Sequence, residues 1–296
     1  MMLGYEYGKL LSQKTSLKIG GPVFCWLEPE DYRDVLEAIG FAESNKKPFA
    51  VIGKGSNILA QDRGFDGVAI NLGKEFDRIE KEKDGVVRVG AALSIARLVK
   101  ECSLLDLAGV EFLSGIPGTF GGAIFMNAGV RGLNNRLTQR EMKDIILDVD
   151  VLDLKDRKRK KLRRVEVPFA YRASGLDGKC ILGARIKLEK DKKSAIIDRM
   201  NAFKKKREWI DGLGFPSAGS VFKNPDGENP AARLIEDCGL KGTRIGGAEI
   251  SRMHANFIVN VDQACSNDVV GLIELARGKV KEKFGVELEL ELRMIS

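Results

Sequence analysis

A chain of 296 residues with 49 lysines and arginines against 42 aspartates and glutamates, a formal charge of +7, is long enough for two or three domains of about 150 residues each. Its 44% hydrophobic residues can fill real cores, and its 31% charged residues are interspersed with apolar ones, which excludes a disordered chain. The five cysteines, Cys25, Cys102, Cys180, Cys238 and Cys265, are odd in number, scattered and never in Cys-x-x-Cys spacing, which excludes a disulfide framework and a zinc site, so no metal is expected. The opening run MMLGYEYGKLLSQKTS lacks the apolar stretch of about 7 residues that a signal peptide needs, and no later segment has the ~18 apolar residues of a membrane span. A cytoplasmic protein without membrane contact is the expectation.

In chain order, an acidic first turn predicts a helix over 31–44, followed by strands over 49–52 and 68–71. A strand over 86–89 leads to a helix that Ser94 caps, with Ile95, Leu98, Val99 and Cys102 on one face. Strands over 145–154 and 162–167 bracket the basic run 155–164, which places its charges at a hairpin tip. Beyond a strand over 180–188, helices are expected over 194–209, from Pro230 to Gly239, and over 267–284 with Gly285 as its stop, with a strand over 256–261 between the last two. The pattern is mixed α and β. Composition shifts near 74 and 190 suggest domain boundaries.

Two glycine-rich segments interrupt this pattern. The first, Gly53, Lys54, Gly55, Ser56 and Asn57, follows a strand directly, so that backbone N–H groups and the Ser56 and Asn57 side chains can meet phosphate oxygens. It fits neither G-x-G-x-x-G nor G-x-x-x-x-G-K-[ST]. The second, over 113–129, places Gly115, Gly118, Gly121, Gly122 and Gly129 within 15 positions, more than a tight turn requires. Together they favour a large ligand with a diphosphate and a flat ring.

Ser220 lies in the run Pro-Ser-Ala-Gly-Ser-Val-Phe-Lys-Asn-Pro over 216–225, in a chain with a single histidine, His254. A serine nucleophile ordinarily needs an adjacent base. A proton donor to a very basic carbon does not. His254 alone cannot build a metal site and is read as a structural hydrogen-bonding residue.

Five ordered motifs, Gly53-x-Gly55-Ser-Asn57, Gly118-Thr-x-Gly121-Gly122 with Asn127-Ala-Gly129, Tyr171-Arg172-x-Ser174, Gly219-Ser220-x-Phe-Lys-Asn-Pro225 and Ile245-Gly-Gly-Ala248 with His254-Ala-Asn-Phe257, resemble the UDP-N-acetylenolpyruvoylglucosamine reductase family. The similarity runs from about Thr15 to Arg293. It implies an α+β chain: an FAD-binding fold of the vanillyl-alcohol oxidase (PCMH) type, in subdomains over 1–74 and 75–190, plus a C-terminal α/β substrate-binding domain over 191–286. The tail 287–296 is expected to return to the first subdomain.

The resemblance implies non-covalent FAD held by Gly53, Lys54, Gly55, Ser56, Asn57, Gly115, Ile116, Pro117, Gly118, Thr119, Gly121, Gly122, Asn127, Ala128 and Gly129. NADPH would reduce the flavin, and a UDP-sugar enolpyruvyl ether would be reduced in turn. Ser220 would give the proton, Arg172 would face the carboxylate, and Glu291 would be a hydrogen-bond donor or a proton relay. Lys223 and Asn224 would bind the UDP-sugar phosphates and amide, and Arg293 would support the carboxylate. Arg131, in a Val-Arg pair where the family usually has Ala-Tyr, is a further candidate for a nucleotide phosphate. The short link 175–179 marks the shorter type without the tyrosine loop, and a monomer is expected.

Two alternatives stay open. A flavin oxidase of the same fold would need a covalent attachment residue near the glycine loops, where there is no histidine. A basic RNA-binding protein would use 155–164, although no interleaved aromatics or binding module accompany it and no nucleic-acid partner is expected.

Overall fold

The computed structural model describes residues 3–131 and 139–296. The chain forms two compact units, one of Met1–Gly4, Leu27–Gly53 and Ile70–Glu208, the other of Tyr5–Trp26, Lys54–Ala69 and Trp209–Ser296. Neither is a continuous stretch of chain.

The first unit carries helix α1 (Tyr32–Ser44), whose cap Asp31 accepts the amides of Arg33 and Asp34. Its five-stranded antiparallel sheet runs Arg159–Arg163, Ile146–Asp153, Lys179–Lys187, Val86–Gly90, Ile79–Lys81. Val149 and Val151 bury inward, while Asp148 is matched by Arg185 at 2.9 Å. Helix α2 (Ile95–Leu104) starts where Ser94 Oγ accepts the Arg97 amide, and it buries Ile95, Leu98, Val99 and Cys102 at the spacing of one helix face. Burial pushes the Cys102 and Cys180 thiols up to about 12, as expected of packing residues. Two further helices, α3 (Phe120–Phe125) and α4 (Lys193–Lys205), complete the unit. The expected helix over 194–209 ends early, and Glu208–Leu213 is a 3-10 turn.

The basic run departs from expectation. Its strand begins at Arg159, so half of the run lies in the sheet rather than at the hairpin tip. Arg159 meets Asp150 at 2.9 Å, Lys160 meets Asp153 at 2.9 Å and Asp156 at 2.6 Å, and Arg157 pairs with Glu43. Asp150 and Asp153 of the neighbouring strand thus pair with Arg159 and Lys160, while Arg157 is met from helix α1.

In the second unit an antiparallel sheet of order Ser217–Ser220, Phe257–Asn260, Ala248–Ile250, Arg244–Ile245 is covered by α5 (Ala231–Asp237) and α6 (Ser266–Phe284). Their shared core includes Leu234, Ile235, Ile258, Leu272 and Ile273, joined by Leu17, Ile19 and Leu59 from early in the chain. Asp62 Oδ2 accepts both the amide and the hydroxyl of Ser266, at 2.6 and 2.7 Å, which fixes the start of α6. Gly285 at φ +69° ends it, as the sequence predicts. The C-terminal strand Arg293–Ile295 pairs in parallel with Ile58–Ala60. Among the described residues no helix is long and apolar enough to cross a membrane.

Candidate active site

Ser220 closes the strand Ser217–Ser220, opposite Phe257, at a register irregularity where Gly219 adopts φ +80°. A non-glycine residue at 219 would be strained, so the glycine is what permits this turn of the backbone. Beyond Ser220 the chain is gripped on both sides. On one side the Val221 amide donates to the Asn256 carbonyl at 2.9 Å, the Phe222 amide donates to Asn256 Oδ1 at 2.9 Å, and Asn256 Nδ2 donates to the Phe222 carbonyl at 2.8 Å. On the other, the Glu291 amide donates to the Val221 carbonyl at 2.9 Å and the Lys223 amide to the Glu289 carbonyl at 2.8 Å.

This second strip brings distant residues together. Asn57 Nδ2 donates to the Glu291 carbonyl at 3.0 Å, and the Arg293 amide donates back to the Asn57 carbonyl at 3.0 Å. The Ser56 carbonyl lies 3.9 Å from where a β-carbon on Gly219 would sit. Ser220, Glu291, Arg293 and the Ser56–Asn57 part of the first glycine loop therefore share one neighbourhood within the second unit. Residues 288–292, where leucines alternate with Glu289 and Glu291, make a single bridge, Leu290 to Phe222, with Leu288 and Leu292 buried and Glu291 half-buried. Lys223 is ion-paired with exposed Glu289 at 3.1 Å, and Asn224 Oδ1 accepts the Ala231 amide at the start of α5.

The first unit holds the other candidates. Gly53 abuts Thr119: a β-carbon at 53 would come within 2.5 Å of Thr119 Oγ1, the atom that caps α3 by accepting the Gly122 amide at 3.3 Å. The start of α3 is pinned by the Phe120 amide to Leu93 O, the Gly121 amide to Ala91 O and the Ile95 amide to Gly118 O. Gly115 and Gly118 stand at φ +79° and +134°, conformations closed to most side chains. Ile116 and Pro117 lie in the turn between them, where the Ile116 amide donates to the Leu113 carbonyl. Lys54 and Gly55 continue the first loop in the other unit, where the Ser16 amide donates to the Gly55 carbonyl at 3.1 Å.

Arg172 occupies a turn closed by reciprocal bonds between Ala170 and Ala173, itself at φ +55°. Its Nη2 donates to the Gly129 carbonyl at 3.1 Å and its guanidinium lies over the Tyr171 ring. Ala128 accepts the Met142 amide. The Arg131 suggestion concerns a side chain that lies outside the described residues.

A family model described as "UDP-N-acetylenolpyruvoylglucosamine reductase, C-terminal domain" matches residues 211–295, and one described as "FAD binding domain" matches 25–159. The UDP-N-acetylenolpyruvoylglucosamine reductase of Bacillus velezensis is 37% identical over 98% of this chain and 95% of its own length. A Bacillus cereus reductase of the same name is 39% identical over 96% and 92%. The chain belongs to the UDP-N-acetylenolpyruvoylglucosamine reductase family. The crystal structure of that reductase from Thermus caldophilus superposes with a TM-score of 0.82 at 35% identity, covering 100% of both chains. A solvent-stable cholesterol oxidase shares the fold over 63% of this chain at 13% identity and a TM-score of 0.50.

As a member of this reductase family the protein is an FAD-dependent oxidoreductase of peptidoglycan precursor synthesis. Its fold is the expected FAD-binding fold of vanillyl-alcohol oxidase type with a C-terminal reductase domain. Relatives matched over nearly their full length favour the reductase over the oxidase and RNA-binding alternatives.

The donor chemistry of the loops fits FAD. The carbonyl of Gly53 accepts Asn71 Nδ2, that of Gly55 the Ser16 amide, that of Gly115 Arg207 Nε, and that of Gly118 the Ile95 amide. With the carbonyls of Gly53, Gly115 and Gly118 engaged by the protein, the segments of the first unit can offer their N–H edges to a diphosphate. Asn71, Arg207 and Asn256 were not singled out from sequence. Asn256 stands inside the His-Ala-Asn-Phe motif, and only its two-sided hold on Phe222 distinguishes it.

His254 differs from its expected role. Its ring stacks on Trp209 at 4.5 Å with a 10° tilt and meets Phe257 edge-on, while Nδ1 is buried without a hydrogen-bond partner. Burial, reinforced by the Lys241 charge, pulls its pKa below the usual histidine value. It is an aromatic packing residue first.

Proposed function

We propose that this chain reduces the enolpyruvyl ether of UDP-N-acetylglucosamine to UDP-N-acetylmuramate at the expense of NADPH, with Ser220 as proton donor. When bound, FAD would supply the hydride chemistry that links NADPH to the methylene carbon of the enolpyruvyl group. Negative charge then falls on the adjacent carbon and its carboxylate. Ser220 gives its hydroxyl proton to that carbon, which completes the lactyl ether, and so strong a base needs a placed donor rather than an activated one.

Arg172 presents a fixed cationic fork to the carboxylate, a charge it stabilises most as the carbanion develops. Its backbone turn and its bond to Gly129 support that role. Glu291 donates a hydrogen bond or relays the replacement proton to Ser220, and Arg293 supports the carboxylate. Lys223, released from Glu289, and Asn224 serve the phosphates and amide of the UDP-sugar. The three-part division, 1–74 and 75–190 for FAD and 191–286 for the substrate with 287–296 returning, is a division of labour among ligands. The chain is taken to act as a monomer. NADPH and the UDP-sugar place the work in the cytoplasm, and no nucleic acid or membrane takes part.

The observation that carries this reading is the grouping of Ser220 with Glu291, Asn57 and Arg293 by main-chain bonds. Stopped-flow kinetics of the two half-reactions test it. Ser220→Ala leaves flavin reduction by NADPH near normal and severely slows reoxidation by the enolpyruvyl sugar; equal losses in both halves refute the donor role.

A further inference from the structure

Asn127 stands in the segment expected to wall the cofactor, yet its side chain is fully buried, 0% exposed, and committed to protein. Nδ2 donates to Glu141 Oε2 at 3.1 Å and to the Ala170 carbonyl at 2.9 Å, while Oδ1 accepts the Lys143 amide at 3.0 Å. Both amide hydrogens are thus used. The orientation of the amide is fixed by the network, because the flipped form would set Oδ1 against a carboxylate and a carbonyl. Glu141, also buried, is held in turn by Lys143 Nζ at 2.6 Å and Gln139 Nε2 at 2.7 Å.

The partners of Asn127 converge on Arg172. Ala170, whose carbonyl Asn127 holds, opens the turn in which Arg172 adopts φ +55°, a backbone state an arginine keeps only when its surroundings impose it. Two residues after Asn127, the Gly129 carbonyl accepts Arg172 Nη2 at 3.1 Å. Asn127 itself stands at φ +42°, where asparagine is tolerated better than most residues, so the chain turns there from one anchor to the other. Gly129 has no room for a side chain, since a β-carbon would come within 2.7 Å of Glu141 Cγ.

We infer that Asn127 is a positioning residue for Arg172: through Ala170 it sets the backbone of the arginine, and through Gly129 the place of its guanidinium. Asn127 acts on the reduction of the enolpyruvyl group and not on flavin binding. This rests on the proposed role of Arg172 at the substrate carboxylate.

Three variants, Asn127→Ala, Arg172→Ala and the double variant, measured as holoenzymes, decide the matter. The readouts are flavin affinity by fluorescence, flavin reduction by NADPH and reoxidation by the enolpyruvyl sugar. Asn127→Ala is expected to keep flavin affinity and reduction within about 3-fold of wild type while reoxidation falls by roughly 10²-fold, the scale of one lost charge-stabilising donor. The double variant reoxidises no more slowly than Arg172→Ala, because the amide acts through the arginine. Glu141→Gln, which keeps the shape of the cluster, shows a smaller loss of the same kind and serves where Asn127→Ala folds poorly. Additive losses, or a tenfold loss of flavin affinity with normal reoxidation at saturating FAD, overturn the inference. Normal reoxidation in Arg172→Ala instead removes the role of Arg172 on which it rests.

Discussion

Gly53 lies so close to Thr119 that a β-carbon on it would stand 2.5 Å from the hydroxyl oxygen that caps α3. Gly53 of the first glycine loop and the start of α3, in the second glycine-rich segment, are therefore fitted to one another before any ligand binds. Gly53→Ala should push Thr119 off its cap and weaken flavin binding by about 10-fold, within the range of overpacking costs of about 1–3 kcal/mol. Thr119→Ala alone loses a helix cap, about 1 kcal/mol. The double variant should bind flavin better than the sum of the single losses allows, because removing the hydroxyl relieves the clash. Fluorescence titration with FAD measures all three, and strict additivity would show that the contact does not matter.

Asn256 replaces a neighbouring strand for Phe222, pairing with both its backbone groups. Asn256→Ala leaves a buried N–H and C=O without partners, at about 1–3 kcal/mol each, so unfolding free energy should drop by roughly 2–6 kcal/mol. Because Ser220 is two residues away, reoxidation should suffer more than flavin reduction. Val280→Ala, a core change in the same unit, supplies the comparison: it should lower stability without separating the two half-reactions.

The single histidine offers a pH signature. His254 is held neutral by burial, so its folded pKa lies below the unfolded value near 6.5. The unfolded chain takes up the proton first as pH falls, so this contribution is full above about pH 6.5 and is lost as pH falls through the folded value. Denaturant unfolding between pH 7.5 and 5.5 should show stability declining toward acid, with the decline reduced in His254→Phe, which can keep the stack on Trp209. An unchanged slope in that variant would assign the effect elsewhere.

Asp153 makes the opposite end of the pH scale informative. Hydrogen bonds from Lys160 and then Lys179 hold its carboxyl well below the usual carboxylate range. Its contribution is present above the unfolded value and is lost as pH falls toward the depressed folded one. Asp153→Asn should therefore cost stability at neutral pH and weaken the decline below pH 4, as read from acid unfolding followed by circular dichroism.

Features that depend on neighbours in sequence were legible in it. Ser94 caps the helix it precedes and Gly285 ends α6, because a cap needs only a few adjacent residues, whereas Asp31, expected inside its helix, is the cap of α1. Cross-strand partners were not. The basic run looked like a charged tip until the register set Arg159 beside Asp150 and Lys160 beside Asp153, a pairing that no periodicity in 155–164 encodes. Glu289 and Glu291 alternate with leucines like a strand, yet that stretch makes one bridge and lends its backbone to Val221 and Lys223. The glycine segments could be read as ligand loops because their composition is unusual in itself. Asn127 carried the same motif signal as its neighbours, and only its burial and partners separate an inward brace from a wall.

The parallel pair of Arg293–Ile295 with Ile58–Ala60 means that residues 58–60 receive this strand partner only after residues more than two hundred positions further along have been made. The second unit therefore cannot close before its 293–295 strand exists. Its segments 5–26 and 54–69 are joined to 209–296 by contacts of very long sequence separation, so a chain lacking residues 293–295 would leave the strand 58–60 without this partner.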